Sequence, residues 1–586
     1  MAWKYCIIGI FCFLAIPSIS GQCPDECKCV RPGQVECSGS DVLEIPTSIP
    51  PNIRSLLIIN TEVTELQDGI LENMTALLIL RIEKSELSTL GSKALSNLIS
   101  LRYLSLLNNR LQEIPESLFE DLTKLETLIL ANNQISQLPR LLFAPLISLK
   151  ELQLQGNNLR SLPSGVFDQM FGLAKLNVAK NYLEHLPSNI FDKATNLQTL
   201  RLYENYLKDI PDGLLNNLSN LQEVALHSNY ISQLPADTFS NNPNLQKIFI
   251  SNNKLVSLPQ SLLMNLPELS KLTLHGNAIK EITTGVFGPL PKLKELWLYD
   301  NKLERLGDYV FMNLTNTQIL ILSRNKIQFI SSDAFYGLDD LLELSLHTNA
   351  LTTLEQDVLR SLPKLQTISL HTNKIEHLPA GLFADLYNLA TIQLQNNSLE
   401  NLPEGIFDSL ENLNEVKLFY NPWRCDNKLR PFQKWVSQYK HKVGNNSQLV
   451  CTNPPFKDML LSDLDEHQLE MSTTGADMIH STVITDISTT INEFPFTSQT
   501  PKKVDTTLKF IDVTPTADDN FIEPTSMLYD DEFEEERGGN SLIVVVIIVI
   551  VLVCLALICT VITCVVYNRR KKSQVELMRM KQQNEA

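Results

Sequence analysis

The sequence predicts a horseshoe-like solenoid of the α/β class, in which a short repeated unit builds one parallel concave sheet backed by an irregular convex side. Three observations predict this fold. Apolar residues recur every 24 residues between residues 53 and 421, Asn recurs at one place in that period, and Phe recurs at another. Self-similarity with a period of about 20 to 50 residues is typical of repeat architectures.

The repeated unit can be written L-x-x-L-x-L-x-x-N-x-L at its start. About sixteen such units follow one another without an insertion or deletion. This spacing is that of leucine-rich repeats, in which each unit contributes one short strand. We number positions within a repeat from its first apolar residue, so that repeat one begins at Ile53 and repeat sixteen at Leu413. A single unit cannot bury its own apolar face, so the array needs a cap at each end.

Two residue series explain how the units would stack. Position nine is Asn in fourteen consecutive repeats, while Thr61 and Ser85 occupy it in the first two. The chain turns there while buried, and a side-chain amide can both donate to and accept from the backbone. Position nineteen is Phe in ten repeats. We therefore expect an asparagine ladder and a buried aromatic spine, both of them structural.

The two ends of the sequence predict a membrane-anchored chain. Residues 1–21 have the apolar run of a signal peptide, followed by the small residues typical of its cleavage site. Residues 541–567 include 25 consecutive uncharged residues, long enough to span a bilayer. The basic residues that open the short tail, 568–586, place it in the cytoplasm. We expect a single-pass type I protein of the plasma membrane, with its N-terminus extracellular.

Cysteines and composition divide the region between these ends. Cys23, Cys27, Cys29 and Cys37 precede the repeats, whereas Cys425 and Cys451 follow them. In a secreted chain these clusters predict disulfide-stapled caps, with a zinc site as the alternative for the first cluster. The expected order is an N-terminal cap at 22–52, repeats at 53–421, a C-terminal cap at 422–465, and a disordered acidic Ser/Thr-rich stalk at 466–540.

The inner face of the predicted sheet carries aromatic and basic side chains. Side chains alternate across a strand, so residues flanked by core residues face away from the core. Exposed aromatic rings and Arg are typical of binding hot spots. We predict a ligand-binding surface formed by Arg201, Tyr203, His227, Phe249, His275, Trp297, Tyr299, Arg324, His347 and His371. The alternative is that neighbouring rings pack only on one another.

The four histidines of this set share position seven of their repeats. A metal site is not expected, because no carboxylate or thiol in that column completes a ligand set. Protonation between about pH 5 and 7 would make this face cationic. Solvated contact residues are the remaining interpretation.

Catalytic motifs are missing from the sequence. It has no Gly-rich phosphate loop, no HExxH and no G-x-S-x-G. We therefore expect a binding protein without a cofactor, not an enzyme. The formal net charge of −17 excludes a globally basic nucleic-acid binder.

Surface chemistry adds two expectations. The N-glycosylation sequons are at Asn73, Asn217, Asn313, Asn396 and Asn445. The first three share position twenty-one on the convex side, which would leave the inner face open. Asn396 is the exception, because it lies just before the asparagine ladder at the concave rim, where a sugar would restrict the C-terminal end of the binding surface. The second cap carries Arg424, Lys428, Arg430, Lys434, Lys440 and Lys442. Such a cluster could bind heparan sulfate, or it could be a solvated basic helix face.

Particular strings resemble one subgroup of the leucine-rich repeat family. RLYENYL, ELWLYDNKL and ELSLHTNAL, followed by NPWRCD, are similar to the subgroup that includes platelet glycoprotein V and the large subunit of carboxypeptidase N. The resemblance implies the disulfides Cys23–Cys29, Cys27–Cys37 and Cys425–Cys451. It also implies an adhesion receptor that binds extracellular matrix proteins of the collagen, fibronectin and laminin class and promotes cell migration. The alternative is a cis-acting co-receptor or scaffold subunit of a membrane receptor complex.

Overall fold

A computed structural model describes residues 23–445, 448–464 and 468–469. The predicted signal peptide, membrane span and tail lie outside the described residues, as does nearly all of the predicted stalk. Among the residues that are described, no helix has both the length and the apolar character needed to cross a membrane.

The described residues form a solenoid built on one large sheet. In chain order the strands are β1 (Cys27–Arg31), β2 (Gln34–Gly39), β3 (Ser55–Thr61), β4 (Glu65–Leu66), β5 (Ile79–Glu83), β6 (Thr89–Leu90), β7 (Tyr103–Ser105), β8 (Thr127–Ile129), β9 (Glu151–Gln153), β10 (Lys175–Asn177), β11 (Thr199–Arg201), β12 (Glu223–Ala225), β13 (Lys247–Phe249), β14 (Lys271–Thr273), β15 (Glu295–Trp297), β16 (Arg305–Leu306), β17 (Ile319–Ile321), β18 (Phe329–Ile330), β19 (Glu343–Ser345), β20 (Thr367–Ser369), β21 (Thr391–Gln393), β22 (Glu415–Lys417) and β23 (Val443–Gly444). One α-helix, α1, spans Arg430–Gln438, and 3-10 turns span Asn427–Leu429, Lys440–Lys442 and Leu461–Asp463.

Nineteen of these strands pair into the large sheet. Each repeat contributes one strand, and neighbouring repeat strands are parallel with residues 24 apart side by side, as Leu200 and Val224 are. The caps add β1 and β2 at one end and β23 at the other. The pairs β4–β6 and β16–β18 form two small separate sheets. The predicted parallel sheet with one strand per repeat is therefore confirmed.

Position nine forms the expected ladder. In repeat eight, the Asn229 amide donates to the carbonyls of Leu202 and Leu226 at 3.0 and 3.1 Å, and its oxygen accepts from the Leu207 N–H at 3.0 Å. Each ladder residue thereby satisfies buried backbone groups of its own repeat and of the one before. Thr61 and Ser85 continue the series through a hydroxyl pair at 2.8 Å.

Position nineteen forms the expected spine. Phe119, Phe143 and Phe167 are almost fully buried, and their ring centroids are 6.3 and 6.4 Å apart with nearly parallel planes. The same stacking continues from Phe287 through Phe311. Turns rather than helices connect the strands throughout residues 53–421, which agrees with the predicted irregular outer side.

Disulfides close both caps. Cys23 is bonded to Cys29, Cys27 to Cys37, and Cys425 to Cys451, the pairing that the resemblance implies. The zinc alternative for the first cluster is wrong, because its four cysteines are bonded to one another. In the second cap the fully buried Trp423 packs on Phe432 of α1, with centroids 4.8 Å apart.

Candidate functional site

The open face of the sheet, which is the predicted concave face, is built by the first and third residues of each short strand. In β15 the middle residue, Leu296, is fully buried, whereas Trp297 is half-buried on the open face. Parallel pairing then aligns one such residue from each repeat in a row. We call it row five, and its central members are Arg201, Ala225, Phe249, Thr273, Trp297 and Ile321.

Trp297 is the centre of an aromatic group on this face. The ring of His275 stacks on Tyr299 with centroids 4.5 Å apart and planes within 6°. The indole of Trp297 lies 6.1 Å from His275 and 6.4 Å from Tyr299, tilted to both. We call these three residues the Trp297 cluster. All three side chains are half-buried, so solvent still reaches them. The structure thus brings together three residues of the predicted ligand-binding surface.

A second predicted group is enclosed. Tyr203 stacks on His227 with centroids 4.5 Å apart, and Phe249 meets the edge of His227 at 6.1 Å. Tyr203 is only 7% exposed and His227 only 6%. Both side chains are therefore enclosed, and for this pair the mutual-packing alternative describes the structure. Phe249 remains half-buried, with the Lys271 ammonium 5.3 Å from its ring.

Burial at position seven differs between repeats, because Tyr203 and His227 are enclosed whereas His275 and Tyr299 stay half-buried. Each regular strand ends at position five, and position seven already belongs to the following turn. Alternation between two faces holds only inside a strand. Ser251, Ser323 and Gln395, at the same position in other repeats, are likewise buried.

The two predicted arginines differ in their surroundings. The Arg201 guanidinium donates to the Glu223 carboxylate at 2.9 Å, and the Lys247 ammonium is 3.7 Å from the same carboxylate. Glu223 is only 9% exposed, so this ion pair is largely shielded from water. Arg324 instead pairs with Asp300 at 2.6 Å on the exposed turn beside the sheet. The structure therefore does not bring Arg324 into row five.

His347 and His371 form a separate stacked pair. Their centroids are 4.4 Å apart, and each Nδ1 lies 2.9 to 3.0 Å from the hydroxyl of the following Thr. Burial lowers the pKa of His371 to about 4, helped by the nearby His347 and Lys417. His371 therefore contributes little positive charge to this face between pH 5 and 7. Within the described part of the chain, no three metal-ligating side chains come together.

Family comparisons agree with this architecture. A family model described as "Leucine-rich repeat region" matches residues 52–351, just over half of the chain. A second, described as "BspA type Leucine rich repeat region (6 copies)", matches residues 304–422. The chain belongs to the leucine-rich repeat family. Solenoids of this family present extended surfaces suited to binding, and the fold is typical of receptor or binding proteins rather than of enzymes.

One curated relative matches a short stretch of this leucine-rich repeat protein. Human leucine-rich repeat-containing protein 15 is 50% identical over 66 residues, which are 11% of this chain and 11% of the relative. The match thus spans about a tenth of the relative's length. Together with the disulfides, which are typical of oxidising compartments, it indicates a surface or secreted, receptor-like protein.

Solved structures show the same fold. A leucine-rich repeat protein of Leptospira interrogans is similar with a TM-score of 0.51 and 25% identity, covering 68% of this chain and 97% of that one. A chain of the Drosophila Toll–Spatzle complex is similar with a TM-score of 0.53 and 19% identity, covering 74% and 71%. The second likeness is one of fold alone.

The predicted glycosylation sites differ in accessibility within this leucine-rich repeat structure. Asn73, Asn217, Asn396 and Asn445 are exposed. Asn313 is half-buried, and its Nδ2 donates to the Phe287 carbonyl at 2.8 Å. Attachment of sugars at these sites stays a prediction.

The basic residues of the second cap are mostly accessible, whereas of the aromatic residues between them Phe432 is buried and Trp435 is half-buried. Arg424, Lys428, Lys434 and Lys440 are exposed, while Arg430 and Lys442 are half-buried. Phe432 is buried, and Trp435 packs on Phe407 with centroids 4.7 Å apart. Asp426 also binds Arg424 at 2.9 Å, which reduces the positive charge at one edge. Heparan sulfate binding here stays a prediction.

The backbone conformation at position eight does not follow from the repeat pattern. All sixteen repeats hold this residue at positive φ, including Thr348 and Thr372 at φ 54° and 55°. β-Branched residues rarely adopt this conformation. The partial signal is that Asn or Gly fills the position in several other repeats, since both tolerate positive φ.

Proposed function

We propose that this chain is a cell-surface adhesion receptor that binds extracellular matrix proteins of the collagen, fibronectin and laminin class and promotes cell adhesion and migration. In this proposal the predicted segment 541–567 anchors the chain in the plasma membrane, and the stalk at 466–540 holds the solenoid away from it. The short match to human leucine-rich repeat-containing protein 15 and the resemblance to the glycoprotein V subgroup support the proposal.

The half-buried Trp297 cluster is the observation that carries the proposal. A Trp, a Tyr and a His lie together on the open face, and Phe249 and Ile321 lie in the same row. Trp and Tyr are enriched among residues that dominate binding energies, because they offer large apolar areas with a polar group at the edge. The rings are held by their neighbours, so little conformational entropy is lost when a partner covers them.

Glycan placement is consistent with this use of the open face. Asn73, Asn217 and Asn313 share position twenty-one, which lies in the connecting turns and not in a strand. Sugars attached there would leave row five free for a protein partner.

Solid-phase binding tests the proposal. The purified full-length chain is applied to wells coated with collagen, fibronectin or laminin, beside a double variant, Trp297→Ala with Tyr299→Ala. We expect saturable retention of the natural chain on at least one coating and at least a tenfold loss for the double variant. Hot-spot residues typically contribute about 2 kcal/mol or more each, which exceeds the tenfold threshold.

The control is Tyr336→Ala, which removes an exposed tyrosine from a connecting turn. It should bind like the natural chain, with the same melting temperature. If no coating retains the natural chain, the matrix proposal is wrong, and the cis-acting co-receptor becomes the better hypothesis. If the double variant is retained as strongly as the natural chain, the binding surface lies elsewhere.

A further inference from the structure

Three tyrosines form a row beside the sheet that the proposed function does not use. Tyr182, Tyr206 and Tyr230 occupy position ten of repeats six, seven and eight. Consecutive ring centroids are 5.7 Å apart, and the planes lie within 15° of each other. We call these residues the tyrosine ladder. Their exposed fractions are 46%, 42% and 49%, so solvent reaches nearly half of each residue.

The backbone fixes the spacing of this ladder. The N–H groups of Tyr182, Tyr206 and Tyr230 each donate to a carbonyl of the preceding repeat at 2.8 to 2.9 Å. The three side chains therefore start from points set by the solenoid itself. A ligand with a matching repeat would find them already in place, which reduces the entropy cost of binding.

Stacking of the repeats does not require tyrosine at this position. Other repeats have Arg110, Gln134, Lys302 or Ala350 at position ten. In those repeats the backbone N–H that follows still donates to a side-chain oxygen of the asparagine ladder. Tyrosine in three consecutive repeats is therefore not needed to form the solenoid.

A groove of about 660 Å³ runs along the ladder. Its other lining residues include the position-eight side chains Lys180, Glu204, Ser228 and Asn252, and Lys254 lies at one end. The groove is shallow and open to solvent along much of its length. Among the described residues that line the groove, none has an aliphatic side chain; they are Tyr, Asn, Ser, Gly, Lys and Glu.

Charge in the groove is nearly balanced. The Lys180 ammonium lies 3.5 Å from the Glu204 carboxylate, and the Lys254 ammonium lies 6.0 Å from the Tyr230 ring centroid. The groove therefore has no strong field that would select a polyanion or a polycation.

We propose that the tyrosine ladder is a binding site for a neutral oligosaccharide chain. Tyrosine offers an apolar ring together with a hydroxyl that donates and accepts, and Asn and Ser add further groups of both kinds. The ring and hydroxyls of a sugar present the same two kinds of surface. An extended β-linked chain repeats its sugars at a spacing close to that of the ladder, so one sugar can contact one repeat. The residues that line the groove include no aliphatic side chain on which an apolar peptide side chain could pack.

Binding of defined probes tests the proposal. Biotinylated cellohexaose and chitohexaose are immobilised, and the purified full-length chain is passed over them. The variant is Tyr206→Gln, which introduces the residue type that repeat four carries at Gln134, so the fold should persist. We expect saturable binding of the natural chain to at least one hexasaccharide and about a tenfold weaker affinity for Tyr206→Gln. The matched control, Tyr336→Ala, should bind like the natural chain.

Several outcomes would overturn the proposal. The first is that neither neutral hexasaccharide binds saturably. The second is that Tyr206→Gln and the natural chain bind with equal affinity. The third is that the chain binds a heparin hexasaccharide but neither neutral one. Matrix-protein retention by the Tyr206→Gln variant is measured in parallel. It should be unchanged, because the ladder lies beside the sheet and the proposed matrix surface lies on it.

Discussion

Two ring stacks of this protein have almost the same internal geometry but different surroundings. Tyr203 on His227 and His275 on Tyr299 both have centroids 4.5 Å apart and planes within 8°. The first stack is enclosed, with Tyr203 7% and His227 6% exposed, and Phe249 meets the edge of His227 at 6.1 Å. In the second, His275 has the tilted Trp297 at 6.1 Å, and both stacked residues stay half-buried. Similar residues at equivalent positions can therefore stabilise the solenoid in one place and remain accessible to a partner in another.

The largest expected difference between the two stacks is in stability. Removing a buried aromatic side chain leaves a cavity and typically costs about 3 kcal/mol or more. We expect Tyr203→Ala to lower the free energy of unfolding by about 3 kcal/mol, and Trp297→Ala to lower it by about 1 kcal/mol because much of the indole is already hydrated. Urea unfolding of both variants measures the difference. Equal losses would show that the two stacks are not distinguished by burial.

An ion pair next to the enclosed stack should show a smaller effect. Arg201→Met leaves the shielded Glu223 carboxylate with Lys247 as its neighbour at 3.7 Å. Losing a charged hydrogen bond at a shielded site costs about 1.5 kcal/mol or more. Arg324→Met is the matched control, because its partner Asp300 is exposed and such pairs contribute about 0.5 kcal/mol. If the Arg324 variant were the less stable of the two in urea, this assignment would fail.

The smallest expected effect is a pH dependence at the His347–His371 pair. The pKa of His371 is about 4 in the folded chain, below its ordinary 6.5. As the pH falls from about 6.5 to 4, the unfolded chain takes up a proton that the folded chain does not, so stability falls over that window. His371→Gln should remove this part of the dependence. Urea midpoints at pH 7.5, 5.5 and 4 measure it, and an unchanged slope in the variant would contradict the assignment.

Much of the fold could be predicted because its determinants repeat. The asparagine ladder, the phenylalanine spine and the parallel strands all follow from one 24-residue pattern that is consistent over sixteen units. The exposure of position seven could not be predicted, because it depends on which side chains the neighbouring repeats place against it. Thr348 is a further example. Its positive φ accompanies a hydrogen bond from its N–H to the His371 carbonyl at 3.0 Å, which local propensity does not reveal.

The candidate site was only partly predictable. Trp297 and its neighbours were found because large rings on a predicted open face stand out. Tyr203 and His227 were misjudged, since burial by a neighbouring ring is a property of three repeats together. The tyrosine ladder was missed although its signal is simple, three identical residues 24 apart. Position ten lies outside the positions that strand alternation places on the inner face.

A glycan placed on row five tests the central claim most directly. Ile321→Asn creates an Asn-Leu-Ser sequon with Leu322 and Ser323, beside Trp297 in the sheet register. Lys193→Asn creates a matching sequon with Ala194 and Thr195 at position twenty-one, where natural sequons lie. With occupancy of both verified by mass, retention on the matrix coating should be lost for Ile321→Asn and kept for Lys193→Asn. Retention of a fully glycosylated Ile321→Asn chain at the natural level would contradict the account.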